Sequence, residues 1–282
     1  MCAAGMIRRM TPRRCAPPDR VRRAFWAVAA ALLAGMLAPS SGDAAARWIP
    51  APRTTWQWQL TTPVDLSVDA RMFDIDLFDT PASVVRRLHR RGRHVVCYLD
   101  AGTLEPGRPD RGAYPAAVIG RELPDWPGEH WLDIRRLDVL GPILERRLDL
   151  CRSKGFDGVE PDNVDAYAND SGFPLTGRDQ LRFNRFLARA ARARGLSVGL
   201  KNDLDQAAAL EPDFDWALDE QCFQYQECDR LRPFVRAGKA VFVVEYELPT
   251  ARFCARANRA GLMAMRKRLA LGAWRRPCWS GQ

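Results

Sequence analysis

The chain has 282 residues, 47% hydrophobic and 27% charged, with a formal net charge of +9. That balance belongs to a folded globular protein and excludes collagenous, low-complexity and multi-span membrane classes. The charge is uneven: the first 46 residues hold seven arginines and two aspartates, the remainder carries only +4, and no basic stripe interleaved with aromatics marks a nucleic-acid surface.

The chain opens with Arg8, Arg9, Arg13, Arg14, Arg20, Arg22 and Arg23, followed by an apolar run from Ala24 to Leu37. Pro39-Ser40-Ser41-Gly42 breaks the run, and Ala44-Ala45-Ala46 offers small residues for cleavage. This pattern predicts a signal peptide over 1–46, because a membrane span needs about 20 apolar residues. A retained N-terminal anchor is the alternative. A Sec-type signal fits, and Arg22-Arg23-Ala24-Phe25 leaves a twin-arginine route open. Residues 47–282 are then one domain, secreted or periplasmic and free of the membrane, of a size that suits a (β/α)8 barrel.

The elements alternate along that domain. A first strand is expected at 56–60, a strictly alternating second at 72–78, and a helix at 81–91 capped by Thr80 with Pro81 at its first position. A third strand at 94–99 precedes a long insertion, 102–131, rich in Gly, Pro and Trp. A helix over 137–154 ends at Gly155, and a fourth strand follows at 157–162. The rest continues as helix 178–194, strand 196–200, helix 205–210, strand 214–218, helix 230–237, strand 240–246, helix 250–260 and strand 261–265. Eight short strands separated by helices predict a parallel sheet closed into a (β/α)8 barrel.

Six cysteines remain after the leader. Cys222 and Cys228 share one loop, and Cys254 and Cys278 flank the last unit, so both pairs are expected to bond. Cys97 in a strand and Cys151 in a helix are expected to be buried free thiols. There is no C-x-x-C, and the three histidines are scattered, so no metal or other cofactor is expected.

In such a barrel the chemistry sits at the C-terminal strand ends. Here those ends are acidic: Asp74 and Asp76; Tyr98 and Asp100; Glu160, Asp162 and Asp165; Lys201, Asn202 and Asp203; Asp219 and Glu220; Glu245, Tyr246 and Glu247. Glycosidic hydrolysis needs two carboxylates, one to protonate the leaving oxygen and one to act as nucleophile or base. Crowded like charges separate their pKa values and allow that division. Trp56, Trp58, Tyr98, Trp126, Tyr167 and Tyr225 offer faces for sugar rings, with Trp58 the first choice; core or lid duty suits Trp126 and Trp131 better. Each acidic residue also has a structural reading: Asp162 as a helix cap, Glu220 as a solvated loop charge, and Glu160 and Glu245 as partners of a buried Lys201.

The segments WQWQL (56–60), DIDLF (74–78), GFDGVEPDNVD (155–165), GLKND (199–203), EQC (220–222) and VEY (244–246) resemble glycoside hydrolase family 114, which contains endo-α-1,4-polygalactosaminidases. The resemblance runs from about Trp56 to Cys278. It implies a cofactor-free barrel that cleaves galactosamine-containing exopolysaccharide, with Asp162 and Glu220 as the catalytic pair. Two positions depart from the family pattern, with Asp219 where Asn is usual and Asp100 where a small residue is usual. Both are expected to add charge near the site, and Asp219 to help Glu220 keep a proton.

The expected function is therefore a secreted, monomeric, retaining glycosidase acting on a cationic galactosamine-rich polysaccharide, which an acid-lined mouth would attract. A glycan-binding barrel without turnover is the competing class. A cytosolic metabolic barrel is disfavoured by the leader and by the lack of a Gly-rich phosphate loop near the last strands.

Overall fold

The computed structural model describes residues 47–279. The expected leader lies outside these residues. In chain order the strands are β1 (Trp56–Gln59), β2 (Met72–Asp76), β3 (His94–Asp100), β4 (Thr103–Leu104), β5 (Ile119–Leu123), β6 (Trp126–Leu132), β7 (Gly158–Asp162), β8 (Ser197–Lys201), β9 (Trp216–Glu220), β10 (Val241–Glu245), β11 (Met263–Arg266) and β12 (Arg276–Pro277). The helices are α1 (Ala82–His89), α2 (Leu137–Lys154), α3 (Gly177–Ala193), α4 (Ala207–Leu210), α5 (Arg232–Arg236) and α6 (Thr250–Ala260).

Strands β1, β2, β3, β7, β8, β9, β10 and β11 lie side by side in that order, all parallel, and β12 runs antiparallel on β11. This is the expected (β/α)8 barrel. Side chains and the C-terminal segment tie β1 to the last strands. Trp56 Nε1 donates to the Met263 carbonyl at 3.0 Å, Gln57 Nε2 to Ala273 at 2.8 Å, and Arg275 Nη1 to Trp56 at 2.7 Å.

Strand parity sorts the apolar residues into two cores. One parity fills the barrel with Trp56, Trp58, Met72, Val96, Trp216, Leu218, Phe242, Val244, Met263 and Met265. The other parity, including Phe73, Ile75, Val95, Cys97 and Val159, packs under helix residues such as Leu148, Phe183 and Phe253. Gly199 on β8 makes room for the inner core. A Cβ there would sit 2.3 Å from the Trp216 ring.

Most helix ends follow the sequence reading. Gly155 ends α2 and Gly261 ends α6, both left-handed, and Thr176 with Asp179 forms a capping box on α3. The start of α1 differs: Pro81 is the N-cap, with no side-chain capping bond, and Thr80 is buried. The insertion holds elements that its composition did not disclose. It folds into a three-stranded antiparallel sheet in the order β4-β6-β5, with shifted register between β5 and β6. Its glycines and prolines mask the alternation that would have disclosed these strands.

Cys222–Cys228 and Cys254–Cys278 are bonded as expected. Cys97 and Cys151 are not free; they form a third disulfide, with Cα atoms 6.0 Å apart. The reason is geometric. Cys97 takes the outward parity of β3, and Cys151 lies on the buried face of α2 that covers the sheet, so the two thiols meet at one interface.

Gly199→Ala is expected to destabilise the protein by about 1–3 kcal/mol, the usual cost of overpacking a filled core, as read by a lower midpoint in denaturant. Unchanged stability would contradict the close approach of Trp216 to β8.

Candidate active site

Three successive pairs of strand end and turn build the site in the same way. Asp162, Lys201 and Glu220 are the last residues of β7, β8 and β9. The residue after each is left-handed: Asn163 at φ 55°, Asn202 at φ 48° and Gln221 at φ 65°. Asparagine tolerates that conformation because its short amide bonds locally, whereas glutamine is less common there. The chain thus turns sharply away just after each functional side chain. Both asparagines also act on the site. Asn163 N donates to Asp162 Oδ1 at 2.8 Å, and Asn202 Oδ1 accepts from Glu220 N at 3.0 Å.

Lys201 is the hub. It is 1% exposed, and its Nζ lies 2.9 Å from Asp162 Oδ1, 2.9 Å from Glu220 Oε2 and 3.4 Å from Glu160 Oε1. Burial works against its charge, but the three carboxylates outweigh burial and hold it well above the usual lysine range. The ammonium also stands 4.8 Å from the ring centroid of Trp58. Tyr98 Oη donates to the other oxygen of Asp162 at 2.9 Å, and Tyr246 Oη donates to Glu220 Oε1. Asp162 and Glu220 reach the surface, with side chains 16% and 24% exposed, whereas Glu160 is fully enclosed beneath them.

Asp74 and Glu160 form a buried carboxyl pair. Apart from Lys201 Nζ, 3.4 Å from Glu160 Oε1, no donor reaches their oxygens, so a proton on one acid is the donor that would satisfy the other. Burial pushes Asp74 up to about 7 and Glu160 well above its usual range. Asp100 and Glu129 make a second such pair: burial and the Glu129 charge push Asp100 well up, and it accepts from Thr103 N at 2.8 Å and Asn163 Nδ2 at 2.7 Å. Asp100 therefore ties Thr103 N and Asn163 Nδ2 together at the turn after β7. Burial and the Asp162 charge push Asp165 up to about 6.

Several expected site residues lie elsewhere. Trp58 is 1% exposed inside the barrel and has no free face for a sugar. Asp219 and Glu245 take the outward parity, away from the mouth. Glu245 Oε1 accepts from Phe223 N at 2.8 Å under the Cys222–Cys228 loop, and is not among the partners of Lys201. Burial pushes Asp219 well up, and its side chain lies on the opposite face of the strand from Glu220. Asp203 turns toward α3, where Asn184 Nδ2 donates to it at 2.9 Å, and burial pushes it up to about 8. Asp76 caps Phe78 N and Asp79 N and pairs with Arg108 at 2.7 Å.

The inserted sheet adds a wall that sequence reasoning missed. A depression of about 460 Å³ is lined by Asp79, Glu105, Arg108, Trp126 and Glu129. Trp126 is half exposed there, and Glu129 accepts from Asn163 Nδ2 at 3.2 Å, one residue from Asp162. Among the described residues no group of three or more His, Cys, Asp or Glu is placed to hold a metal ion, and no helix is long and apolar enough to cross a membrane.

The shared proton has a consequence for stability. In an unfolded chain Asp74 ionises near pH 4 (roughly its free value), but in the fold only at about 7. Its contribution is fully present below about pH 4, is lost as pH rises through that window, and is gone above about pH 7. Asp74→Asn supplies a permanent donor to Glu160, so the fall of melting temperature between these pH values is expected to be shallower in the variant. An equally steep fall would contradict the shared proton.

The family model for glycoside-hydrolase family GH114 matches residues 38–281. The structure superposes on Ega3 of Aspergillus fumigatus, crystallised with galactosamine, at a TM-score of 0.78 and 41% identity, covering 83% of this chain and 98% of that one. The glycoside hydrolase domain of PelA from Pseudomonas aeruginosa shares the fold at 14% identity and a TM-score of 0.57, over 77% of this chain and 94% of that one. An uncharacterized protein of Deinococcus radiodurans is 28% identical over 222 residues, 71% of this chain and 70% of its own length. A barrel whose mouth presents two carboxylates on one buried ammonium, matched over nearly its whole length by this family, belongs to glycoside-hydrolase family GH114 and is a glycoside hydrolase.

Proposed function

We propose that this enzyme cleaves α-1,4 linkages in a galactosamine-containing polysaccharide outside the cytoplasm, as a monomer, by a retaining mechanism with Asp162 as nucleophile and Glu220 as acid/base. The observation that carries this reading is the pair of 2.9 Å contacts from Lys201 Nζ to Asp162 and to Glu220. One ammonium touching both carboxylates keeps the two oxygens it touches within about 6 Å of each other, which supports the close-set carboxyl groups of a retaining site.

The roles follow from the donors. Asp162 accepts from Lys201, Tyr98 and Asn163 N, and is the more firmly aimed of the two. Glu220 is the more exposed, so water reaches it. Asp162 attacks the anomeric carbon while the glycosidic C–O bond breaks and the leaving oxygen takes the proton of Glu220. Glu220 then removes a proton from water, whose oxygen displaces Asp162 and restores the free enzyme. Lys201 and Tyr98 stabilise the departing carboxylate in this second step.

The acid-lined depression beside Asp162 supports a substrate with ammonium groups, since carboxylates attract them and hold them by charge-assisted hydrogen bonds. The galactosamine bound by Ega3 supports the same chemistry.

Asp162→Asn and Glu220→Gln are each expected to lower turnover of a galactosamine polymer at least ~100-fold while the polymer still binds, as read by reducing ends released over time. The first product is expected to keep the anomeric configuration in proton spectra. Inverted product would overturn the retaining assignment, and near wild-type rates in both variants would overturn the pair. Binding without turnover by the wild-type protein would favour the non-catalytic reading.

Export is tested separately. The exported protein is expected to begin near Arg47 on N-terminal sequencing, and an intact Met1 on exported protein would show that the leader is retained.

A further inference from the structure

Beyond Tyr246 the mouth changes sign. A depression of about 440 Å³ is lined by Tyr246, Arg266, Arg268, Leu269, Trp274 and Arg276. Tyr246 connects it directly to the catalytic pair, because its hydroxyl donates to Glu220. The guanidiniums are held in place. Arg266 Nε donates to the Tyr246 carbonyl at 3.0 Å, and Arg268 and Arg276 lie 5.0 Å and 5.9 Å from the Trp274 ring centroid. Glu247 is the one carboxylate in the lining. Lys267, also in the lining, is buried and turned inward to the Gly272 carbonyl at 2.6 Å, and burial pushes it down to about 7. Leu269 is 60% exposed and supplies apolar surface at the rim.

The two arms of the mouth therefore differ in chemistry. The arm beside Asp162 is lined by three carboxylates and one arginine. The arm beside Glu220 carries three arginines against one carboxylate. An ammonium entering the second arm would meet three like charges at close range. A neutral sugar would not. An N-acetyl group in particular offers a carbonyl to the guanidinium donors and a methyl group to Leu269 and Trp274.

We propose that the arm formed by Tyr246, Arg266, Arg268, Leu269, Trp274 and Arg276 is a binding subsite for an N-acetylated sugar residue, and that it excludes a residue with a free ammonium. This rests on the glycosidase reading above, and it makes the enzyme cut preferentially where an N-acetylated residue lies on one fixed side of the scissile bond. The sign change across the mouth, not the overall charge of the protein, sets that preference.

The test uses the purified exported enzyme and two α-1,4-galactosamine polymers, one fully deacetylated and one about half N-acetylated. Cleavage in ¹⁸O-labelled water marks the new reducing ends, and mass spectrometry reads the acetylation of the residue on each side of every cut. The wild-type enzyme is expected to place an N-acetylated residue on one and the same side about tenfold more often than chance. It should also process the half-acetylated polymer faster than the deacetylated one. Arg268 and Arg276 are exposed, so the double variant Arg268→Glu with Arg276→Ala is expected to fold. It should abolish the side preference and raise the rate on the deacetylated polymer about tenfold. Cuts without a side preference, or a preference unchanged in the variant, would overturn the subsite while leaving the glycosidase reading intact. Failure to cut either polymer would overturn the glycosidase reading and the subsite with it.

Discussion

The buried ammonium of Lys201 is the interaction on which the site depends. A lysine taken out of water is stable as a cation only if anions replace its hydration. Here Asp162 and Glu220 do so from strands on either side of β8, with Glu160 beneath. The same requirement fixes the spacing of the two surface carboxylates, because each must reach one nitrogen. It also explains the acid pair under the lysine. A second full charge on Asp74 and Glu160 would repel Asp162, and a proton shared between them limits that repulsion. One cation and one proton thus let three strands, β2, β7 and β9, bring carboxyl groups into the same end of a barrel.

The left-handed residues after β7, β8 and β9 are the local counterpart of this electrostatic arrangement. Asn163, Asn202 and Gln221 each carry backbone strain of the kind that persists where the surroundings over-determine it. Their hydrogen bonds supply that determination at two of the three turns. Asn163 reaches Asp100, Thr103 and Glu129 in addition to Asp162, so the inserted sheet is joined to the end of β7 through one amide. Mechanically, β4–β6 belongs to the site even though none of its residues stands among the catalytic carboxylates.

The barrel and the gathering of Asp162, Glu220 and Lys201 at one end of it were legible because strand alternation, glycine helix stops and acidic strand ends are all local signals, whereas singling out Asp162 and Glu220 as a pair rested on the family resemblance. Parity at a strand end was not. Reading the sixth strand as 214–218 leaves Asp219 and Glu220 together in a loop. The strand in fact runs to Glu220, so the two point to opposite sides of the sheet. The strand read as 240–246 runs Val241–Glu245, and there the neighbours Val244 and Tyr246, both in the inner set, mark Glu245 as outward. Trp58 was misplaced for a different reason: nothing local distinguishes an aromatic face covered by a buried lysine from one open to solvent. The Cys97–Cys151 bond needed the packing of α2 on β3, which is a long-range fact.

A mouth built of charges gives up apolar packing where a barrel of this kind would otherwise gain stability. Glu160, Asp74, Asp100 and Lys201 occupy volume that Leu or Val would fill without desolvation cost. The three disulfides lie where they offset this. Cys97–Cys151 ties β3 to α2 directly behind Tyr98 and closes a separation of 54 residues, worth about 4 kcal/mol by loop entropy. Cys222–Cys228 closes the turn that follows Glu220, and Glu245 bonds that same turn from below. Cys254–Cys278 holds the C-terminal segment whose Arg275 and Ala273 bond β1 at the seam. Reduction should therefore loosen the catalytic end of the barrel through the strands it braces, before any carboxylate is chemically altered. An oxidising compartment is the setting in which such a charged mouth and such a small barrel are compatible.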